Sequence, residues 1–172
     1  MFSRSLAFFL LFQVVSLRSQ TFSSTVNQPI PDDGTVVSFE LQVSGLPAQI
    51  DTFYGLEQVC LNLNHTYDED MNVKLQSPSG QTILLFGGVG GGEDNFVNTC
   101  LAGEGLDFSQ SPAPFSGTFQ SFGILGNFNK GQNPNGVWKL AGINSTFGST
   151  AFISASPRSQ YASKSAGRGF VP

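Results

Sequence analysis

The sequence predicts an all-β fold, an antiparallel β-sandwich of jelly-roll-like type, and three observations support that prediction. Charged residues make up only 12% of the 172-residue chain, so the Lys and Glu that favour helices are sparse. Gly and Pro occur 20 and 9 times, which is typical of short strands joined by turns. Apolar and polar residues alternate in several short segments, and no helical period is sustained over about ten residues.

The first predicted strand follows a turn signal, Ile-Pro-Asp-Asp-Gly, at residues 30–34. Every second residue from Val37 to Val43 is apolar, and the residues between them are Ser, Glu and Gln. Alternation with a period of two is the pattern of a strand that buries one face. This segment is therefore predicted to lie on one side of the core.

Further segments have the character of strands. Residues 59–63 alternate in the same way, and residues 71–76 and 81–86 are joined by Ser-Pro-Ser-Gly, which predicts a hairpin. Gly-Val-Trp-Lys-Leu at residues 136–140 predicts another strand. Its alternation places Trp138 in the core rather than on a sugar-stacking surface.

The N-terminal segment is predicted to be a signal peptide. Arg4 precedes an apolar run at residues 6–15, which is shorter than the roughly 20 residues that a membrane-spanning helix needs. Cleavage fits the small-residue pattern at 14–16 or a site near 19–20, and the alternative is a buried or amphipathic N-terminal helix. We expect a secreted chain with a signal peptide at 1–20, a lead segment at 21–29, the domain at 30–153 and a disordered tail at 154–172.

The two cysteines, Cys60 and Cys100, are predicted to form a disulfide, because an even count in an exported chain favours pairing. Bridging them closes a loop of about 40 residues, for which the chain-entropy model gives about 4 kcal/mol. The alternative is two buried free thiols. The net charge of −4 argues against nucleic-acid binding, and no later segment is apolar enough to span a membrane.

Catalysis by this chain alone is not expected. A hydrolase of the acyl-transfer type needs a nucleophile, a base and an orienting acid, and the chain has a single histidine, His65. Neither a Gly-x-Ser-x-Gly elbow nor a His-Glu-x-x-His helix occurs. His65 acting with Cys60 or Cys100 as nucleophile is the disfavoured alternative, and a structural histidine is the favoured interpretation.

Several blocks follow one another in an order that is informative. They are residues 30–34 (IPDDG), 43–45 (VSG), 61–80 (LNLNHTYDEDMNVKLQSPSG), 90–99 (GGGEDNFVNT), 113–119 (APFSGTF), 125–129 (LGNFN) and 135–140 (NGVWKL). Together they resemble the P domain, or P/Homo B domain, of kexin-like proprotein convertases. The block at 61–80 is the most specific, because a polar turn, an alternating strand and a Ser-Pro turn follow in register.

The resemblance implies a β-sandwich that lies C-terminal to a subtilisin-like catalytic domain and stabilises it. The expected function is therefore a secreted, non-catalytic module in a proteolytic context, with a subtilisin-like serine endopeptidase domain or another exported domain as partner. Residues 147–153 begin the family's last strand, but nothing strand-like completes it. The alternative function is a carbohydrate-binding or adhesive jelly roll, for which Phe53 and Tyr54 are the candidate exposed aromatics.

Two acidic turns predict a calcium site. Asp68 to Asp70 precede one predicted strand, and Glu93 and Asp94 follow a run of glycines. Calcium takes six to eight oxygen ligands from carboxylates, backbone carbonyls and water. Some P-domain relatives bind calcium, so the resemblance also points to this ion. The predicted ligands are Asp68, Asp70 and Asp94, and the alternative is that these turns are simply solvated.

Overall fold

The computed structural model describes residues 19–26, 35–143 and 149–157, which form a two-sheet β-sandwich. In chain order the strands are β1 (Gln20–Val26), β2 (Val36–Val43), β3 (Tyr54–Leu63), β4 (Asn72–Gln76), β5 (Thr82–Gly87), β6 (Phe96–Ala102), β7 (Phe115–Gln120), β8 (Gly136–Ile143) and β9 (Ser149–Pro157). One sheet has the order β1-β9-β3-β6-β7, and the other has the order β2-β8-β4-β5. The all-β prediction is confirmed, including the β4–β5 hairpin.

One strand pair departs from the predicted antiparallel arrangement. β6 and β7 are parallel, with Phe96 opposite Phe115 and Ala102 opposite Gln120. The connection between them passes through a 3-10 turn at Phe108–Gln110 and returns to the end of the sheet where β6 begins. A two-residue hairpin cannot make that return, whereas a longer crossover can.

The core lies between the two sheets and is rich in phenylalanine. Along β2, exposed and buried residues alternate without interruption, as the sequence pattern predicts. The rings in the core lie 4.4 to 6.4 Å apart between centroids and include stacked and edge-to-face pairs; they belong to Phe86, Phe96, Phe108, Phe115 and Phe119. Both arrangements suit the ring quadrupole and add to the burial of apolar area.

Trp138 is a core residue, as predicted. Its side chain is buried, its ring lies 5.1 Å from that of Phe128, and its indole N–H donates to the carbonyl of Pro134 at 2.8 Å. A buried indole needs such an acceptor, because an unpaired N–H in the core is unfavourable. The same geometry removes Trp138 as a sugar-stacking surface.

The strand bounds differ from the predicted segment boundaries at both ends. β1 lies across the predicted lead segment, and β9 continues four residues past 153, to Pro157. The expectation that nothing completes the last strand is therefore wrong. β9 lies between β1 and β3 and pairs with both, so its conformation is set by backbone ladders that its Ser- and Ala-rich sequence does not signal.

Some predictions fall on residues outside the described part. These are the signal peptide up to residue 18, the turn at 30–34 and the tail from 158 onward. Within the described residues, no helix has the length and apolar character needed to cross a membrane.

Candidate functional site

The disulfide joins the middle of β3 to the middle of β6. Cys60 and Cys100 are directly opposite in the antiparallel register, and their sulfur atoms are bonded. The prediction of a disulfide is confirmed, and the alternative of two free thiols is wrong. Because both sulfur atoms are in the bond, neither is available as a thiol nucleophile.

At one end of these strands lies a cluster that we call the acidic corner, formed by His65, Asp68, Glu93, Asp94 and Asn95. The chain leaves β3, makes a 3-10 turn at Asp68–Asp70 and enters β4, while the segment before β6 packs against this turn. Backbone bonds connect the two segments: the N–H of Asp68 donates to the carbonyl of Glu93 at 3.0 Å. The polar turn in the sequence therefore forms a packed structural element.

Asn95 connects the other members of the acidic corner. Its backbone N–H donates to Oδ1 of Asp68 at 2.9 Å and to the carbonyl of His65 at 3.2 Å, while its own Oδ1 accepts the N–H of His65 at 3.0 Å. Asn95 has a φ of 76°, in the left-handed region that Asn tolerates better than most residues. The segment Glu93–Asn95 is thereby fixed against the turn.

Asp68 is the most perturbed group in the acidic corner. Its side chain is fully buried, and Oδ2 makes no hydrogen bond with another described group. Burial raises the pKa of Asp68 from its ordinary 3.8 to about 7. The hydrogen bond from Asn95 opposes that rise, whereas the charges of Asp94 and Glu93 add to it.

The predicted calcium ligands are placed differently from one another. Asp68 is buried, whereas Asp70 and Asp94 are exposed. In residues 19–26, 35–143 and 149–157, no three His, Cys, Asp or Glu side chains gather in a way that could hold a metal ion. Asp68 does offer an unpaired carboxylate oxygen with Asp94 nearby. The calcium site stays a prediction.

His65 is a buried side chain at the same corner. Its backbone is held by Asn95, and neither ring nitrogen makes a hydrogen bond with another described group. A general base must reach the proton that it abstracts, within about 3 Å or through one water. His65 has no nucleophilic partner bonded to it in the described structure.

Gly90 is a site residue that the sequence does not single out. Its φ is +88°, and a methyl group at this position would lie 2.8 Å from Cβ of Asp68 and 2.8 Å from the ring of Phe115. Only glycine allows this close approach. The sequence shows a glycine run but gives no indication of which glycine contacts the core.

The opposite end of the sandwich has an open depression, which we call the open-end groove. It has a volume of about 740 Å³, and its lining includes Glu57 of β3, Glu104 after β6, and Ser121, Phe122 and Ile124 after β7. Phe122 and Ile124 are large apolar side chains that remain exposed. No motif in the sequence marks this surface, because its residues come from three separate segments.

The predicted aromatic pair does not form a single exposed surface. Phe53 is 60% exposed, whereas Tyr54 is buried at the start of β3. Phe53 lies in the bend before β3, whereas Tyr54 is the first residue of the strand and is buried with the two residues that follow it. Tyr54 is therefore not available to stack on a sugar, so the prediction of two exposed aromatics for the carbohydrate-binding alternative is wrong for Tyr54, and only Phe53 is exposed.

No family model and no curated protein matches the chain. Similar solved structures include the serine protease of Aeromonas sobria, with 15% identity and a TM-score of 0.34 over 81% of this chain and 26% of that chain. Another is the complex of the Aeromonas sobria serine protease with its chaperone, with 15% identity and a TM-score of 0.32 over 77% of this chain and 28% of that chain. This chain spans about a quarter of each matched chain.

Proposed function

We propose that the chain is an exported, non-catalytic β-sandwich module that accompanies and stabilises a subtilisin-like serine endopeptidase domain. The observation that carries the proposal is the block at residues 61–80, the most specific part of the resemblance to the P domain. This block forms one packed unit that comprises the end of β3, the turn at Asp68–Asp70, β4 and the hairpin turn that follows. A resemblance that coincides with a structural unit supports a shared architecture.

The packing within that block supports a structural role for its matched residues. His65, Asp68, Met71 and Ser77 are all buried, although three of these four are polar. Buried polar residues are retained where they fix backbone segments, and Asp68 does so through the N–H of Asn95. One oxygen of Asp68 thus fixes the segment before β6, whereas its other oxygen and both ring nitrogens of His65 make no hydrogen bond with another described group.

The state of the cysteines supports the proposals of export and of an accessory role. Disulfides persist in oxidising compartments, and the Cys60–Cys100 bond joins two strands of one sheet. With both sulfur atoms bonded and the ring of His65 buried, the usual parts of acyl-transfer machinery are not assembled around these residues. A module that acts by binding fits this chemistry better than one that acts by catalysis.

The test measures protection of a protease. A kexin-like catalytic domain that lacks its own P domain is incubated at an inactivating temperature, with this chain or with an unrelated disulfide-bonded β-sandwich at equal concentration. We expect a longer half-life of peptidase activity with this chain only, because a partner that binds the folded state stabilises it. Equal half-lives would reject the proposed function.

A second measurement tests the non-catalytic part of the proposal. The chain alone is incubated with a broad peptide library, and cleavage is followed by mass spectrometry. We expect no turnover. Cleavage that disappears in His65→Ala would show that the chain is itself a peptidase.

A further inference from the structure

We propose that the open-end groove binds an extended peptide segment of a partner protein, one that carries basic side chains beside an aromatic or aliphatic side chain. The groove is about 740 Å³ in volume, which exceeds the space for one side chain and lies in the range of ligand sites. This inference does not rest on the proposed association with a protease, because a peptide titration detects the site without one.

Exposed apolar surface is the first observation. Ile124 is 72% exposed and Phe122 is 53% exposed, and both line the groove. Phe122 also lines an adjoining pocket of about 200 Å³, where its ring meets the edge of Phe108 at 6.2 Å. Single apolar residues on a surface are ordinary, but adjacent ones lining a concave surface mark a binding site.

The wall that carries these side chains is rigid. Three consecutive backbone N–H groups of this wall donate to backbone carbonyls. The N–H of Ser121 donates to the carbonyl of Ala102 in β6 at 2.9 Å. The N–H groups of Phe122 and Gly123 donate to the carbonyls of Leu85 and Leu84 in β5, at 2.9 and 2.8 Å. The segment thus spans from one sheet to the other. A methyl group on Gly123 would lie 2.2 Å from Cγ2 of Ile83, so the backbone approach is also close. Little ordering is needed before a ligand binds.

The charge of the lining determines the chemistry of the occupant. Glu57 and Glu104 line the groove, Asp107 lines the adjoining pocket, and all three are exposed. Neither lining includes Lys or Arg, and the ion pair found among the described residues, between Glu40 and Lys139, lies outside both linings. Asp107 accepts the N–H of Ser109 at 2.8 Å, but no cationic side chain in these linings neutralises any of the three carboxylates. Carboxylates beside apolar side chains attract a segment with Arg or Lys next to an apolar residue.

Ser121 lies beneath this surface. It lines both the groove and the adjoining pocket, its side chain is buried, and its Oγ makes no hydrogen bond with another described group. A buried hydroxyl without a partner is unfavourable by about 1–3 kcal/mol. That oxygen has no exposed surface, so the exposed carboxylates and apolar side chains, and not the hydroxyl of Ser121, carry the proposed binding.

The test uses the full chain, in EGTA, and a fluorescein-labelled ten-residue peptide in which Arg alternates with Phe and Leu. Fluorescence anisotropy measures the dissociation constant. We expect saturable binding that weakens about fivefold or more in Glu57→Gln with Glu104→Gln, and by a similar factor in Ile124→Ser. Glu69→Gln with Asp70→Asn, a matched charge removal at the other end, should leave the dissociation constant unchanged.

Control peptides separate specific binding from attraction between bulk charges. A peptide with Ser in place of Phe and Leu should bind at least about fivefold more weakly, and one with Glu in place of Arg should not bind. Equal weakening by both double charge removals would overturn the proposal, as would the absence of any binding. The chain's own residues 158–172 also carry Arg158, Lys164, Arg168 and Phe170. If the peptide binds only after those three cations are replaced by Gln, residues 158–172 of the chain itself occupy the groove, and the proposal of a partner protein is wrong.

Discussion

The two ends of the sandwich differ in which side chains they bury. At the acidic corner the polar residues His65 and Asp68 are buried, whereas at the open-end groove the apolar residues Phe122 and Ile124 are exposed. Both ends are bounded by the same two strands, because β3 and β6 are paired along most of their length. The difference therefore arises from the connecting segments and not from the sheets.

The glycine run is what closes the acidic corner. A residue without a side chain at Gly90 lets the backbone pack directly on Asp68 and Phe115. At the other end, the segment after β7 is held to β5 by backbone hydrogen bonds, and no loop in the described part of the chain covers its side chains Phe122 and Ile124, which stay exposed. At one end an acidic residue, Asp68, is buried in the fold, and at the other end an aromatic residue, Phe122, is exposed to solvent. Residue type alone would suggest the opposite, since acidic side chains are usually exposed and aromatic ones buried.

The largest expected effect comes from the bond that both ends share. Cys60→Ser with Cys100→Ser should lower the free energy of unfolding by about 4 kcal/mol, because a 40-residue loop is released in the unfolded chain. Urea unfolding measures the change, and amide hydrogen exchange maps it. We expect both ends to lose protection together. Loosening at one end only would show that the two ends unfold independently and would change the comparison.

The second effect is confined to the acidic corner. Gly90→Ala should lower the free energy of unfolding by about 3 kcal/mol, since it combines an unfavourable φ with contacts at 2.8 Å. Gly80→Ala is a matched control, because Gly80 has the same φ of +88° with nothing within 4 Å of the added methyl group. It should lose only about 1 kcal/mol, for backbone strain alone. Equal losses would mean that the close approach at Gly90 is not tight.

Much of the fold is predictable from local patterns. The alternation of apolar and polar residues predicts β2, and the Ser-Pro turn predicts the β4–β5 hairpin. An even cysteine count, in a chain predicted to be exported, predicts the disulfide. β1 and β9 are not predictable in this way. Small and polar residues outnumber the apolar ones in both strands, and their conformation is imposed by partners far away in the sequence. The parallel pairing of β7 is also a property of a long connection, which no local signal encodes.

The two candidate sites also differ in how far local sequence patterns predict them. Asp68 is predictable as a notable residue because an acidic turn is a contiguous signal, but its burial depends on Gly90, which packs against it from another segment. The open-end groove combines Glu57, Glu104 and Ile124 from separate segments, so no spacing rule finds it. The sequence indicates charge and turns, whereas concavity is a property of the assembled chain.

The third prediction concerns the pH dependence that the buried carboxyl creates. The pKa of Asp68 is about 7 in the folded chain and near 3.8 when unfolded, so between these values the folded state binds more protons. The stability from this group is therefore fully present below about pH 4 and is lost as pH rises through 7. Asp68→Asn, measured in EGTA, should flatten that slope. It should raise the free energy of unfolding at pH 8 by about 2 kcal/mol, less than the roughly 4 kcal/mol of the full pKa shift, because the amide NH2 group takes the place of a buried oxygen that has no partner.

Asp70→Asn is the control for this effect, because Asp70 lies in the same turn with an exposed side chain. It should leave the slope in place. Denaturant unfolding at several pH values measures both variants. A slope that persists in Asp68→Asn would mean that another group titrates in this range and that Asp68 is ionised without penalty.

The smallest expected effect tests whether calcium acts at the acidic corner. Calcium at about ten times its dissociation constant should raise the free energy of unfolding by about 1.4 kcal/mol, because it binds only the folded state. Asp68→Asn with Asp70→Asn should remove most of that response, whereas Glu57→Gln with Glu104→Gln, two carboxylates at the open-end groove, should not. Because calcium needs the ionised carboxylate, its effect should grow as pH rises through 7, opposite in sign to the intrinsic slope of Asp68. Magnesium should substitute poorly, since it demands a tighter octahedral shell. If melting curves in EGTA and in millimolar calcium coincide at every pH, the corner holds a buried acid without a metal, and Asp70 and Asp94 are solvated turn residues.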